Sequence, residues 1–220
     1  MDPPQIIFVV YSCKHKLPIS EQLYLSTNGQ ISNTKVLLMY ADDTISEEFK
    51  LVDDKYLVLK CGDYYEHLSE KTTCMMKAVE HFYPKAKGVF KCDDDIMPCI
   101  PHIESMTQHF IENSIPYAGQ LNTSNDHLSY HHQGKTRNPD LYHVGMRMPV
   151  STFTNGPLYY LSMSSVRAFN QCEKPLFVFN EDVMVGYYLN SLGIFPHNVR
   201  SYTDHSYERD RISYQNIRRW

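Results

Sequence analysis

Between Gly88 and Met97 the chain reads Gly-Val-Phe-Lys-Cys-Asp-Asp-Asp-Ile-Met, with three carboxylates in succession directly after an apolar pair. Neighbouring carboxylates oppose each other's ionisation, and a bound cation is the simplest compensation. In extended backbone alternate side chains share a face, so Asp93 and Asp95 point together and Asp94 points away. Two hard oxygen ligands on one side, with room for water and a diphosphate, suit Mn²⁺ or Mg²⁺ better than a soft metal. A triplet standing alone would serve equally well as a solvated acidic turn, so its company decides. A second acidic step, Glu181-Asp182, opens an apolar stretch that runs to Gly193. A helix N-terminus stabilises a negative charge by about half a kcal/mol, which favours an ionised Asp182, a group able to accept a proton.

The elements that must position these groups follow from hydrophobic runs. Gln5–Tyr11, Lys35–Tyr40 and Tyr56–Leu59 are continuous apolar segments rich in β-branched residues, the pattern of strands covered on both faces. They end in Ser12-Cys13-Lys14, Ala41-Asp42-Asp43 and Cys61-Gly62-Asp63. A helix follows, with Ser69 as its N-cap, a stripe of Leu68, Thr72, Met75, Val79 and Phe82, and Pro84 as its stop. The strand before Asp93 comes next, and Pro101–Asn113 reads as a helix with Ile103, Met106 and Phe110 inward. Residues Gln120–Met148, with His127, His131, His132 and His143, lack periodicity and read as a long loop with at most a short hairpin. Beyond it the pattern predicts a turn at Thr154-Asn155-Gly156-Pro157 and a short strand at Leu158–Leu161. It further predicts a helix over Ser164–Asn170, a strand at Phe177–Phe179, and a last helix with Val185, Tyr188, Leu189 and Leu192 on one face.

Strands alternating with helices predict an α/β fold with a mostly parallel central sheet. Ligands in such sheets gather at the carboxyl ends of strands, where Ser12, Asp42, Asp63 and Asp93 all fall.

Three motifs in order make the pattern specific. Asp63-Tyr64-Tyr65-Glu66-His67-Leu68-Ser69-Glu70-Lys71-Thr72, Phe90-Lys91-Cys92-Asp93-Asp94-Asp95-Ile96 and Glu181-Asp182-Val183-Met184-Val185-Gly186 together resemble glycosyltransferase family 31, the inverting β-1,3-galactosyltransferases and Fringe-like enzymes. The likeness extends over Asp63–His205. It implies one GT-A domain spanning residues 1–220, a nucleotide-diphospho-sugar transferase fold. It also implies a UDP-sugar donor, a Mn²⁺ or Mg²⁺ cofactor, and a glycan or glycoprotein acceptor. By position, Asp95 ligates the metal and Asp93 holds the ribose or assists the metal. Lys71 lies near the donor, and Asp182 is the general base. His205 is a further metal ligand, with His197 as its alternative. Ser12, Asp63, Lys71, Asp93 and Asp94 are the expected donor-binding set.

Composition narrows the alternatives. The chain has 220 residues, enough for one large domain, and 42% are apolar. A formal charge of −4 provides no general basic surface, and nucleic acid is not an expected partner. Six cysteines without a CxxC pair read as free thiols, and the histidines of the long loop lack a zinc spacing. No segment has the length of a membrane span or the make-up of a signal peptide, which predicts a cytoplasmic protein without an integral membrane segment. Two other classes fit the acidic groups: a metal-dependent nucleotidyl- or phosphotransferase, disfavoured by the lack of a glycine-rich phosphate loop, and a non-catalytic glycan-binding relative.

Overall fold

The computed structural model describes residues 3–172 and 179–199. In chain order the elements are β1 (Ile6–Tyr11), a 3-10 turn (Lys14–Lys16), α1 (Leu17–Thr27), β2 (Thr34–Ala41), β3 (Phe49–Val52) and β4 (Tyr56–Leu59). A second 3-10 turn (Tyr65–His67) leads into α2 (Leu68–Phe82), followed by β5 (Gly88–Asp93), α3 (Ile100–Glu112), β6 (Tyr117–Ser124), β7 (His127–Ser129) and β8 (Met146–Met148). β9 (Ser151–Ser162), α4 (Met163–Gln171), α5 (Glu181–Ser191) and β10 (His197–Asn198) complete the described chain.

Eight strands form one sheet in the order β10-β6-β9-β5-β1-β2-β4-β3, and β7 pairs with β8 as a separate hairpin. The β4-β2-β1-β5 block is parallel, β10 runs parallel to β6, and β3 and β9 are antiparallel to their neighbours. Strand parity divides the core into two layers. Ile7, Val9 and Tyr11 pack under α2, α4 and α5, whereas Ile6, Phe8 and Val10 face the other side with Leu23, Ile103 and Phe110. Each such aliphatic or aromatic side chain, buried on both strand faces, contributes about 1.5–3 kcal/mol, which is why these runs show no alternation.

The first three predicted strands, α3 and α4 match their predicted spans to within a residue or so. Elsewhere the structure differs. Ser69 lies inside the first turn of α2 and does not cap it, because the preceding 3-10 turn feeds directly into the helix at Leu68. The segment read as loop from Gln120 begins inside β6, whose outer residues are exposed and polar and so carry no strand signature. The predicted turn at Thr154–Pro157 lies within the 12-residue β9. There β6 advances from Gly119 to Leu121 while β9 passes from Tyr159 to Thr154, so Asn155–Leu158 bulge out of that pairing. Leu192 is 48% exposed just beyond α5, whose buried residues instead run around the helix. β3, a short edge strand, the two-residue β10 and α1 had no expectation. The inward positions of α1 include Ser20 and Thr27, whose hydroxyls donate to the Lys16 and Leu23 carbonyls one turn back, so its buried stripe looks polar. Phe177 and Val178 of the predicted strand lie outside the described residues, and Phe179 forms a bend. All six cysteines are free thiols.

Candidate active site

β1 and β5 lie side by side with Tyr11 opposite Asp93, and β2 flanks β1 on its other edge. Their carboxyl ends therefore frame a crevice at the point where strand order reverses, the usual ligand position in open α/β sheets. A cavity of about 470 Å³ opens there, lined by Ser12, Asp63, Lys71, Lys91, all three residues of the Asp93–Asp95 triplet and Glu181.

Strand parity assigns the acidic groups. Lys91 and Asp93, two residues apart, face α5 along with Val89. The Lys91 side chain is 2% exposed, and its ammonium donates to Asp93 Oδ1 (2.5 Å), Gly156 O (2.7 Å) and Glu181 Oε1 (2.9 Å). Three donors thus meet three acceptors, with the Tyr11 ring 4.6 Å away. Burial works to lower the Lys91 pKa, but the Asp93 and Glu181 charges outweigh it and hold the ammonium well above its ordinary value. Asp93 is pushed up to about 7 by burial, against the pull of Lys91 and with Glu181 and Asp95 adding to the rise.

Asp94, of opposite parity, faces α1. Its Oδ2 accepts from the hydroxyls of Ser12 (2.7 Å) and Ser20 (3.0 Å), and its Oδ1 lies 3.3 Å from the Lys16 ammonium. Asp95 is exposed at the cavity mouth, on the turn that follows β5. Asp63 has a similarly full set of partners. It accepts from the Lys71 ammonium (2.6 Å) and from the Ala41 (3.1 Å) and Lys14 (2.5 Å) amides, and Lys71 also donates to the Ser12 carbonyl. Ser12, Asp63, Lys71 and Asp94 thus bolt the ends of β1, β2, β5 and α1 into one floor of the cavity that Asp93 and Asp95 also line.

Glu181 and Asp182 begin α5. The bulge in β9 brings Gly156 against them, and its N–H donates to Asp182 Oδ2 at 3.1 Å while the Val183 N–H reaches Oδ1 at 2.8 Å. A Cβ at Gly156 would sit 3.0 Å from Glu181 Oε1, tighter than ordinary contact, and 3.5 Å from Asp182 Oδ2, so a side chain there would crowd Glu181. The helix-end argument for a fully ionised Asp182 is outweighed. Burial and the adjacent Glu181 charge raise it to about 7, against the two backbone N–H donors and Lys91. That value suits a group that must both accept and release a proton near neutrality.

The acidic triplet and the Glu-Asp step therefore meet through Lys91. Lys91 and Glu181 were quoted in the motifs without a role. The signal for them was the two-residue spacing of Lys91 and Asp93 on one strand face, which puts an ammonium beside the carboxylate in a buried layer. His205 lies outside the described residues. His197 stands on β10, three strands from β5, exposed and 6.4 Å from the His109 ring, which removes it from the neighbourhood of Asp93 and Asp95. In the long loop His132 Nε2 donates toward the carbonyls of Tyr142 (2.9 Å) and Val144 (3.1 Å), and His143 Nδ1 toward that of Asp140 (2.6 Å), so these rings brace the loop. Among the described residues no group of three His, Cys, Asp or Glu side chains is arranged to hold a metal ion. Asp93 and Asp95 both line the cavity and are hard oxygen donors, the type a cation such as Mg²⁺ or Mn²⁺ takes. No helix among the described residues is long and apolar enough to cross a membrane.

Comparison with known proteins agrees with this architecture. No curated protein sequence matches the chain. Among solved structures, a CMP:2-keto-3-deoxy-manno-octonic acid synthetase complexed with CTP superposes with a TM-score of 0.51 at 11% identity, covering 100% of both chains. A 4-diphosphocytidyl-2C-methyl-D-erythritol synthase from Anaerococcus prevotii gives a TM-score of 0.47 at 10% identity over 96% of both chains. The fold is thus of the GT-A, nucleotide-sugar-transferase type. The family model described as Galactosyltransferase matches residues 37–200, which include the acidic triplet, Gly156 and the Glu181-Asp182 step. The chain belongs to the galactosyltransferase family and is a glycosyltransferase.

Proposed function

We propose that this glycosyltransferase moves a sugar from a UDP-sugar to a hydroxyl of a glycan or glycoprotein, with inversion and with a divalent cation, forming a β-1,3 linkage. The observation that supports the reading is the Lys91 bridge between Asp93 and Glu181, which puts the acidic strand end and Glu181 on one cavity, with Asp182 the next residue along α5.

Asp95 and Asp93 are the residues that would hold Mn²⁺ or Mg²⁺, and the cation when bound supplies positive charge where the diphosphate leaving group becomes negative. Asp182 accepts the proton of the acceptor hydroxyl, and its position near pKa 7 makes it an effective base at neutral pH. The Gly156 and Val183 N–H groups fix its orientation throughout. Attack from the side opposite the diphosphate inverts the anomeric carbon, so an α-linked donor gives a β-linked product. The linkage position and the choice of uridine rest on the family likeness.

A donor screen tests the proposal: nucleotide release is followed for several UDP- and other nucleotide sugars, with Mn²⁺ and with a chelator. Release from a UDP-sugar only in the presence of the cation is expected. Equal release with chelator, or release of pyrophosphate from a nucleoside triphosphate in place of UDP, would overturn it.

A further inference from the structure

The long loop between β7 and β8 carries two cations to the cavities at the strand ends, and it is anchored there. Glu66, 5% exposed, accepts the Arg137 N–H with both carboxylate oxygens at 3.2 and 3.4 Å. His132, 2% exposed, packs edge-on against Phe179 at 5.4 Å, and Tyr142 does the same at 4.9 Å. These contacts fix the loop between a buried acid and a buried ring. Its side chains Lys135, whose ammonium also donates to His131 Nε2 at 2.7 Å, and Arg137 then reach separate places. Lys135 lines the cavity that holds the acidic triplet, with its ammonium 5.3 Å from the centre of the Tyr65 ring. Arg137 lies over the Tyr64 ring at 4.5 Å and lines a second cavity of about 510 Å³ with Asp42, Asp43 and Thr44. The two cavities share His15, Asp63 and Tyr64, so one ligand can extend from the first into the second.

We propose that Lys135 and Arg137 are donor-binding residues: Lys135 engages the diphosphate, and Arg137, stacked on Tyr64, forms a flat platform for the nucleobase. This rests on the UDP-sugar reading above. A guanidinium stacked on an aromatic ring presents a flat, cationic and partly apolar edge, the chemistry that holds a heterocyclic base without pairing to it. An ammonium at the mouth of an acidic cavity offers a charge-assisted donor to a phosphate oxygen. The division of labour follows from the geometry, because each cation lines a different one of the two joined cavities.

Calorimetric titration of the full chain with UDP in Mn²⁺, and separately with uridine, tests the assignment on Lys135→Ala and Arg137→Ala. Both side chains are exposed, so the variants retain the core. Lys135→Ala is expected to weaken UDP about tenfold and to leave uridine within twofold, with Lys135→Arg restoring much of the loss. Arg137→Ala is expected to weaken UDP and uridine alike, each about tenfold. If the unaltered chain binds UDP and both variants bind it within twofold of that value, the loop assignment is wrong while the donor reading stands. Equal loss of both ligands in Lys135→Ala would also overturn it, since that result marks collapse of the loop. No UDP binding by the unaltered chain would end the donor reading and this proposal together.

Discussion

Replacing Lys91 by Met tests the bridge that joins the two halves of the site. Met preserves much of the stem volume and removes the only group that donates to Asp93, Gly156 and Glu181 together. Removing one partner of a buried ion pair costs about 3–5 kcal/mol, because the remaining charge stays buried without compensation. The Asp93 carboxylate is 31% exposed and water offsets part of that cost, whereas Glu181 at 9% has little access to it. The lower end, about 3 kcal/mol, is therefore expected, a large share of the roughly 5–15 kcal/mol that holds a domain folded. For a chain of this length that corresponds to a fall in Tm of roughly 6–12 °C. The cost also depends on pH. Asp93 has a folded pKa raised to about 7, so its contribution is complete below its unfolded value near 4 and is lost as pH rises through 7. Without Lys91 the folded value moves higher and the loss continues above pH 7, where the unaltered protein has stopped losing stability. Urea unfolding in chelator at pH 6 and pH 8.5 measures both effects. A cost below about 1 kcal/mol at pH 8.5, or a larger cost at pH 6 than at pH 8.5, would refute the reasoning.

Asp182→Asn is expected to lower transfer by roughly 10²–10⁴-fold with UDP affinity unchanged, read from kcat and from calorimetry; retained turnover would remove Asp182 from the role of base. With Asp182 near 7, kcat/KM falls about tenfold per unit as pH drops well below that value, and in Asp182→Asn the acid limb disappears. Asp94 and Asp95 should separate cleanly. Asp94→Ala takes the acceptor from Ser12 and the ion-pair partner from Lys16, while Ser20 keeps the Lys16 carbonyl, and lowers stability by about 1–3 kcal/mol, whereas Asp95→Ala is expected to cost less stability and to abolish cation-dependent UDP binding. Gly186→Ala places a Cβ 2.4 Å from Phe153 Cβ and 2.8 Å from the Thr152 carbonyl, forcing α5 off β9 at a cost of about 1–3 kcal/mol by urea unfolding.

What the sequence made legible was whatever rests on unbroken burial. β1, β2, β4 and β5 could be read because both faces of each are largely covered, and a strand of that kind shows an apolar run without alternation, the buried Lys91 of β5 being an exception. β6 and α1 could not, for opposite reasons: β6 exposes four consecutive residues, 120–123, after a buried start, and α1 buries hydroxyls that close back on their own helix. The bulge in β9 was read as a turn because Asn-Gly-Pro is turn chemistry; the antiparallel pairing of Leu158 and Tyr159 with β5, which carries the strand on, depends on residues some 65 positions earlier. The acidic motifs were legible as charges out of place. Their sorting into floor and working surface was not, because the partners of Asp94 and Asp63 come from α1, β2 and α2.

That sorting follows from parity once β5 is placed between β1 and β9. Lys91 and Asp93 fall on the α5 side and Asp94 on the α1 side, so a strand end with three consecutive carboxylates splits its charge between two layers of the protein. The α1 side consumes its carboxylate entirely in hydroxyl and ammonium contacts and so fixes where the strand ends. The α5 side pairs its carboxylate with a buried ammonium that also grips the first residue of α5 and the bulge of β9. A displacement of Asp93 is therefore also a displacement of Gly156 and Glu181, and through the Gly156 N–H it reaches Asp182. Under the proposed function, a donor at Asp93 and an acceptor at Asp182 would be held by one chain of contacts, which is what positioning catalysis requires.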